Sequence, residues 1–527
     1  MPATPPFDRG ERHRLGLVLA LALLVRCLGL GWGLPHAEQG WSYHPDEYRL
    51  ADAAARVVEE PTLHPTSFKY GSLAVYLPAA VGAPLAWTGL VHDARGWHLV
   101  TRGVSVVLGV ATVAAVWLLA RRLVGPRAAP VAALALALAP GHALLSGYAT
   151  PDVPSTFFVT LALWFAVRGL EPGGERALWA SAAAGGLAAA IKYGAGAVVL
   201  APLVAALASP RERPLAHRAR TAIGLGLASV AVFAACLPAA VTDWKKFTAD
   251  LEYELILHPR AGHDNLFTDT GDGWTYHLTA NLPYLLGWPL VAVALVGCVL
   301  LARRGLGGAL VVGFALVLFA LLGSSEVRFM RYLTPILPAL CVGVGALALT
   351  RGRLAAQGAI AYAALLTTAQ AVGLLLPDPR DRALAFVESE LAPHAAIGTV
   401  ETPTFFHPPF TPENGGPGIR KRFRAALEAG ASPYRFPKPT GLDATALATR
   451  DLDAFALSEH DWRDALRLDD PHARAFLDAL DARFPSRTTF HGLPGRLRRC
   501  FDWGVRPTPH DWLYPFMEQT ILLEVRR

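Results

Sequence analysis

Apolar runs of roughly 16–23 residues recur through the first 376 residues of this chain of 527, and they decide most of what it can fold into. At 1.5 Å of helix rise per residue, such a run matches the ~30 Å hydrocarbon core of a bilayer. Residues 377–527 differ: Asp, Arg, Pro and His are frequent, and no run there could span. Only 17% of the chain is charged, against about a quarter in an ordinary soluble protein. The pattern predicts a polytopic α-helical membrane protein followed by a soluble domain.

The formal net charge of +6 is not a nucleic-acid signal. The basic residues sit in short connectors between apolar runs, where membrane orientation accounts for them. Cys27, Cys236, Cys298, Cys341 and Cys500 show no CxxC or ligand spacing, and four of them lie inside apolar runs. That argues against a disulfide framework and for cysteine as a small buried hydrophobe. The run 15–34 lacks a small-residue cleavage site and contains Arg26, so it reads as an uncleaved first span.

Arg9, Arg12 and Arg14 place the tail 1–14 in the cytoplasm. The expected spans are 15–34, 99–120, 128–148, 153–169, 177–191, 194–208, 219–241, 283–302, 307–323, 329–349 and 354–376, eleven in all. With that count the basic connectors fall inside: Arg121 to Arg127, Arg168 to Arg176, Pro210 to Arg220, Arg303-Arg304 and Arg351 to Arg353. The connectors 35–98, 149–152, 242–282 and 324–328 fall outside, as does the domain 377–527. Residues 72–91 are apolar but carry Pro78 and Pro84, and a span there would invert every later connector. They are expected to lie in the interface or re-enter it. The chain is thus placed as a multi-pass protein of the plasma (inner) membrane.

Polar chemistry collects in the first outer loop, at Tyr43-His44-Pro45-Asp46-Glu47-Tyr48-Arg49. An amphipathic stretch follows, and acids at its start suit a helix N-terminus. Asp46 and Glu47 therefore read either as first-turn charges or as a carboxylate pair for general-base work or cation binding. Arg49, one turn on, can hold Asp46 charged. Lys69 and Tyr70, in Phe68-Lys69-Tyr70-Gly71-Ser72-Leu73, read as a snorkelling anchor or as a cation facing those acids. Asp152 in Pro151-Asp152 opens a span on the same side, as a cap or as a functional charge. Arg328, Arg331 and Tyr332 form a third group there, suited to phosphate or to anchoring. His258, His263, Asp264, Asp269 and Asp272 crowd 242–282 without strong metal spacing, and no metal ligand set is assigned. One face of the membrane so gathers acids and cations around an apolar rim, a place for a long lipid with an anionic head.

In order and spacing, His-Pro-Asp-Glu at 44–47, Lys-Tyr-Gly-Ser-Leu at 69–73, Pro-Asp at 151–152 and Arg-Tyr-Leu-Thr-Pro at 331–335 resemble the GT-C glycosyltransferases. The nearest group is glycosyltransferase family 39, the protein O-mannosyltransferases, with its bacterial aminoarabinose-transferase-like relatives. The resemblance spans most of 1–376 and implies a GT-C-like catalytic domain over 15–376, with an extracytoplasmic α/β domain after it. It implies inverting transfer of a sugar from a polyprenyl-phosphate carrier to an acceptor hydroxyl on the outer face. On that reading Asp46 is the base, Arg49 orients it, and Glu47 and Asp152 position acceptor or sugar. Lys69 neutralises the leaving phosphate, helped by Arg331 and Arg328. Family members differ in their need for a divalent cation, which the sequence leaves open. Here Tyr70-Gly71 follows the lysine where the aminoarabinose branch has proline. The rival readings are a transporter or flippase of lipid-linked sugars, which would place charges in broken helices at mid-membrane, and a non-catalytic scaffold.

Overall fold

The computed structural model describes residues 7–60, 62–208, 214–503 and 507–524. Part of the basic connector expected at Pro210 to Arg220, and Val525, the last residue of the apolar run Thr520–Val525 that reads from sequence as a final strand, lie outside them. The first helix, Arg9–Cys27, begins and ends earlier than the run 15–34. A capping box fixes its start: the Glu11 amide donates to Asp8 Oδ1 at 2.6 Å, and the Asp8 amide to Glu11 Oε2 at 3.3 Å.

Among the described residues five helices are long and apolar enough to cross a membrane, or up to seven if two bent pairs are each one span. That is fewer than the eleven expected, because several expected runs are broken or short. The run 128–148 is two helices, Ala129–Ala137 and Pro140–Ser146, bent by 61°. Pro140 forces the residue before it out of the helical region, and Ala139 is extended. The start of 283–302 turns by 110° at Gly287, whose φ of +83° a side chain would resist, so the straight helix is Trp288–Ala302. At the break between the fifth and sixth expected spans, Lys192 is extended (φ −144°, ψ 117°) between helix Glu175–Ile191 and the 3₁₀ turns Tyr193–Val199. Residues Leu73–Trp87 form one helix despite Pro78 and Pro84. Fifteen residues reach only about 22 Å, short of a bilayer core, and Trp87 at its end is 79% exposed. The helix packs on Tyr48–Glu59 and on the long helix Ala94–Leu123.

Ion pairs tie the ends of the bundle together. At one end Glu11 pairs with Arg121 at 2.9 Å, and Arg122 pairs with Glu171. Asp46, Lys69 and Asp152 of the expected outer loops, with Arg331 at the outer end of an expected span, meet at the other end around one cavity.

The C-terminal part carries four strands: β1 (Ile397–Thr399), β2 (Ala454–Ser458), β3 (Ser486–Phe490) and β4 (Gln519–Leu523). They form one sheet in the order β1-β2-β4-β3, with β1 parallel to β2 and the other pairs antiparallel. β2 is buried along its whole length. Helix Pro379–Glu390 covers one face through Ala383 and Val387, and helix Pro471–Arg483 the other through Phe476 and Leu480. The segment before β4 is more than a loop. Trp512, Leu513, Phe516 and Met517 are at most 2% exposed and pack into the helical core. This insertion locks the sheet onto the bundle, as does Trp32, whose indole donates to Asp378 at 2.9 Å.

In a background freed of native cysteines, Asp264→Cys is expected to react with a membrane-impermeant maleimide on intact cells, and Arg303→Cys only after permeabilisation. Equal labelling at both positions would contradict the orientation drawn from the basic connectors.

Candidate active site

Asp46 and Glu47 are neighbours in sequence with opposite surroundings. Both precede helix Tyr48–Glu59, and neither caps it: Glu47, at the N-cap, makes no side-chain hydrogen bond to the helix start. Successive residues at a helix start point about 100° apart, so one acid turns inward and the other outward.

Glu47 turns inward and is 0% exposed. Its carboxylate takes Arg102 Nε at 2.9 Å and an Arg102 terminal nitrogen at 2.7 Å, the Ser42 hydroxyl at 2.5 Å and the Ala149 amide at 2.8 Å. Burial pushes the Glu47 carboxyl up, but the charge and hydrogen bonds of Arg102, with His44 and His98 behind them, overcome it and hold the group at about 2. Arg102 also donates to the Leu30 and Trp32 carbonyls at 2.7 and 2.6 Å. Glu47 thus pins the first loop to the end of the first helical segment and to the loop before Asp152. It does not line the cavity, which corrects the expectation that it positions acceptor or sugar.

Asp46 faces the cavity with its side chain 18% exposed. Arg331 reaches its Oδ2 at 3.1 Å and Arg49 its Oδ1 at 3.4 Å. Its own amide donates to His44 Nδ1 at 3.2 Å. That leaves the His44 proton on Nε2, buried between Tyr148 and Tyr514. Burial drives His44 towards the neutral form against the pull of Glu47 and Asp46. For Asp46, burial favours protonation, yet Arg331, His44, Arg49 and His263 outweigh it and hold the carboxyl below its ordinary value. Asp46 is therefore ionised, aimed and solvent-accessible.

The cavity holds about 1300 Å³ between the bundle end and the C-terminal sheet region. Lys69, Tyr70, Asp152, Tyr332, Arg49 and Arg331 all line it, so most of the expected constellation converges. Lys69 is set by its neighbours' backbone. The Phe68 amide donates to Asp250 at 2.8 Å, and the Tyr193 hydroxyl reaches the Phe68 carbonyl at 2.6 Å and that of Tyr70 at 3.3 Å. Gly71 has a steric reason: a Cβ there would stand 1.9 Å from the Ala190 carbonyl oxygen, so only glycine lets the loop lie against the break at Lys192. The Lys69 ammonium stands 4.0 Å over the Tyr253 ring, with no hydrogen bond or ion pair among the described residues. Arg328 is spent elsewhere and does not line the cavity. It donates to Thr270 at 2.5 Å, the Gly271 carbonyl at 2.7 Å and Glu326 at 2.9 Å, cementing two loops. That corrects its expected role as a phosphate helper.

Two contributors escaped the sequence reading. Lys192, which in the sequence only separates the expected spans 177–191 and 194–208, pairs with Asp152 and stands 4.1 Å over the Tyr332 ring in the cavity wall. A lone lysine in the middle of an apolar stretch was the available signal. Asp511, in a stretch whose sequence reads as a loop leading into the last strand, is 0% exposed and pairs with Arg331. Nothing in its local sequence indicates that partner. Asp152 opens helix Asp152–Gly169 without capping it, and its side chain goes to Lys192.

Cations and apolar side chains share the wall. Leu318, Leu321 and Leu322 of helix Leu306–Gly323 line it, with Leu255 and Ile256 from the loop 242–282. His258 and His263 also line it, their rings joined at 3.2 Å from Nε2 to Nδ1. Among the described residues the group spaced to hold a metal is Glu401, His407 and Asp461. Its polarity does not fit. His407 Nδ1 accepts the Thr404 amide at 3.1 Å, which leaves the proton on Nε2 facing Asp461 at 3.0 Å. A metal-bound imidazole needs the reverse, a lone pair at Nε2 and a donor at Nδ1.

Residues 90–239 match the family model described as dolichyl-phosphate-mannose-protein mannosyltransferase. Two crystal structures of ArnT from Cupriavidus metallidurans share the fold. The apo state superposes with a TM-score of 0.52 at 16% identity, covering 87% of this chain and 95% of that one. The form bound to undecaprenyl phosphate gives 0.51 at 15% identity, covering 96% and 97%. No curated protein matches the chain by sequence. The likeness to GT-C glycosyltransferases drawn from the motifs is thereby shown, in the fold and in the family model over 90–239.

Glu47→Gln leaves Arg102 as an uncompensated buried charge and is expected to lower stability by about 3–5 kcal/mol, read by thermal unfolding in detergent. Because the folded-state carboxyl lies below its ordinary 4.5, at about 2, its stabilisation is present above about pH 4.5 and lost as pH falls towards 2. An unchanged unfolding midpoint for the variant at pH 7 would show that the pair does not hold the loop.

Proposed function

We propose that this protein is an inverting glycosyltransferase that moves a sugar from a polyprenyl-phosphate carrier to an acceptor hydroxyl on the extracytoplasmic face of the membrane. The observation that carries the reading is the single cavity in which an ionised Asp46 meets Lys69, Lys192 and an apolar wall. A polyprenyl phosphate has those complementary parts: an anionic head for the lysines and a hydrocarbon tail for Leu318, Leu321 and Leu322. The fold shared with ArnT, seen in one structure with undecaprenyl phosphate, supports this donor class.

The chemistry follows from the placement. Asp46 takes the acceptor's hydroxyl proton as that oxygen bonds the anomeric carbon from the face opposite the phosphate. The carbon–oxygen bond to phosphate breaks, and its electron pair leaves with the phosphate. Lys69, unpaired among the described residues, supplies the charge that stabilises this departing anion. Lys192, already shared with Asp152, completes the cationic side, and Tyr70 and Tyr332 wall the sugar's position. A low pKa makes Asp46 a weak base in the empty cavity. A bound phosphate offsets the neighbouring cations and raises its basicity when substrate is present.

The orientation, with the N-terminus cytoplasmic and residues 377–527 extracytoplasmic, belongs to the same proposal. Charges gathered at one end of the bundle favour surface chemistry over passage through the membrane, which sets this reading above a transporter.

Asp46→Asn is expected to reduce transfer from an undecaprenyl-phosphate-linked hexose by at least about a thousandfold while undecaprenyl phosphate still binds; general-base contributions of about 10²–10⁴ set that scale. Full activity would remove Asp46 from the base role. Lys69→Ala is expected to weaken donor binding and turnover together, and unchanged kinetics would return Lys69 to a membrane anchor.

A further inference from the structure

Asp511 is a buried carboxylate for which the reaction outlined above has no use. It is 0% exposed, does not line the cavity, and comes from the segment that threads from the sheet into the helical core. Among the described residues its charged partner is Arg331: Oδ1 pairs with one terminal nitrogen, and Oδ2 accepts the Arg331 backbone amide at 3.0 Å. The other terminal nitrogen of Arg331 lies 3.1 Å from Asp46 Oδ2. One guanidinium therefore bridges two carboxylates, one sealed and one facing substrate.

We propose that Asp511 is a positioning residue for transfer, keeping Asp46 both aimed and basic by dividing the charge of Arg331. This rests on the base role of Asp46. A guanidinium presents paired donors and, offered one carboxylate, binds it bidentately. Such a pair would be formally neutral, with both Asp46 oxygens occupied. With Asp511 holding one edge of the fork, the three groups carry a net −1, and Asp46 gives Arg331 only one oxygen. The surplus negative charge stands at the group that must take a proton.

The other groups facing Asp46 do not supply that balance. Arg49 is a second cation at 3.4 Å, 39% exposed and so screened by solvent. His44 is held towards neutrality by burial, and His263 likewise. Glu47 is matched by Arg102. Glu254, in the cavity wall, is biased by burial towards protonation against the pull of Lys69, Lys192 and Arg49. A mere tether for Arg331 would serve as well with a neutral acceptor in place of Asp511, and that difference is measurable.

Asp511→Asn keeps the shape and an acceptor oxygen but removes the charge. It is expected to lower kcat about tenfold for transfer from an undecaprenyl-phosphate-linked hexose, with KM within about twofold, as a weakened base does. Asp511→Glu, which keeps the charge, is expected to hold kcat above that of Asp511→Asn. In the double variant Arg331→Gln/Asp511→Asn the second substitution is expected to add nothing to the first, since Asp511 acts only through Arg331. That variant leaves no buried charge unpaired, so it carries the test even if Asp511→Asn fails to fold. Wild-type kcat in folded Asp511→Asn overturns the inference. So does a double variant more than about threefold slower than Arg331→Gln. Either result leaves the base role standing where Asp46→Asn is inactive. A wild-type protein that transfers from no polyprenyl-phosphate sugar removes both.

Discussion

The buried pair of Glu47 and Arg102 is the constraint on which the site depends. A carboxylate and a guanidinium out of contact with water are tolerable only when each satisfies the other and the backbone around them. Here they do, and in doing so fix where four stretches of chain meet: the end of the first helical segment at Leu30 and Trp32, the loop at Ser42, the long helix carrying Arg102, and the turn at Ala149. Asp46 precedes this anchor by one residue and Asp152 follows Ala149 by three, so both cavity acids inherit their positions from it.

Around that anchor, pairing separates the charged groups by role. Those that are fully satisfied, Glu47, Arg102 and Arg328, hold loops. Those with capacity left, Asp46 and Lys69, face the cavity. Lys192 and Arg331 stand between, each shared with a carboxylate yet in the cavity wall. A donor lipid phosphate would enter this set as the missing anion. Its arrival would weaken the hold of the cations on Asp46 at the moment a base is required, so substrate binding and catalytic competence are linked through the same charges.

Much of this was legible in the chain before its fold was known. The apolar runs identified the helical membrane architecture, and the orientation drawn from the basic connectors collected Asp46, Lys69, Tyr70, Asp152, Arg331 and Tyr332 on one side. What was not legible has physical reasons. Adjacent acids look alike in a sequence, while a turn of about 100° sends one to the core and the other to substrate. Arg328 and Arg331 sit a few residues apart, and only their tertiary partners, Thr270 and Gly271 for one and Asp511 for the other, separate a cement from a clamp. Lys192 was hidden by its place in a run read as two short spans, and Asp511 by a sequence separation that no local pattern bridges. The breaks at Ala139 and Gly287 were signalled by Pro140 and by the glycine itself, but their bend angles depend on packing.

On the proposed reading, one carboxylate placed as a base opposite a departing phosphate would commit the chemistry to a single displacement. The measurement that tests this most directly is the anomeric configuration of the transferred sugar, read by proton NMR on product made from an undecaprenyl-phosphate hexose of known anomeric form. Inversion is predicted. Retention would require a covalent or doubly displaced intermediate, and would contradict the assignment of Asp46 as the base.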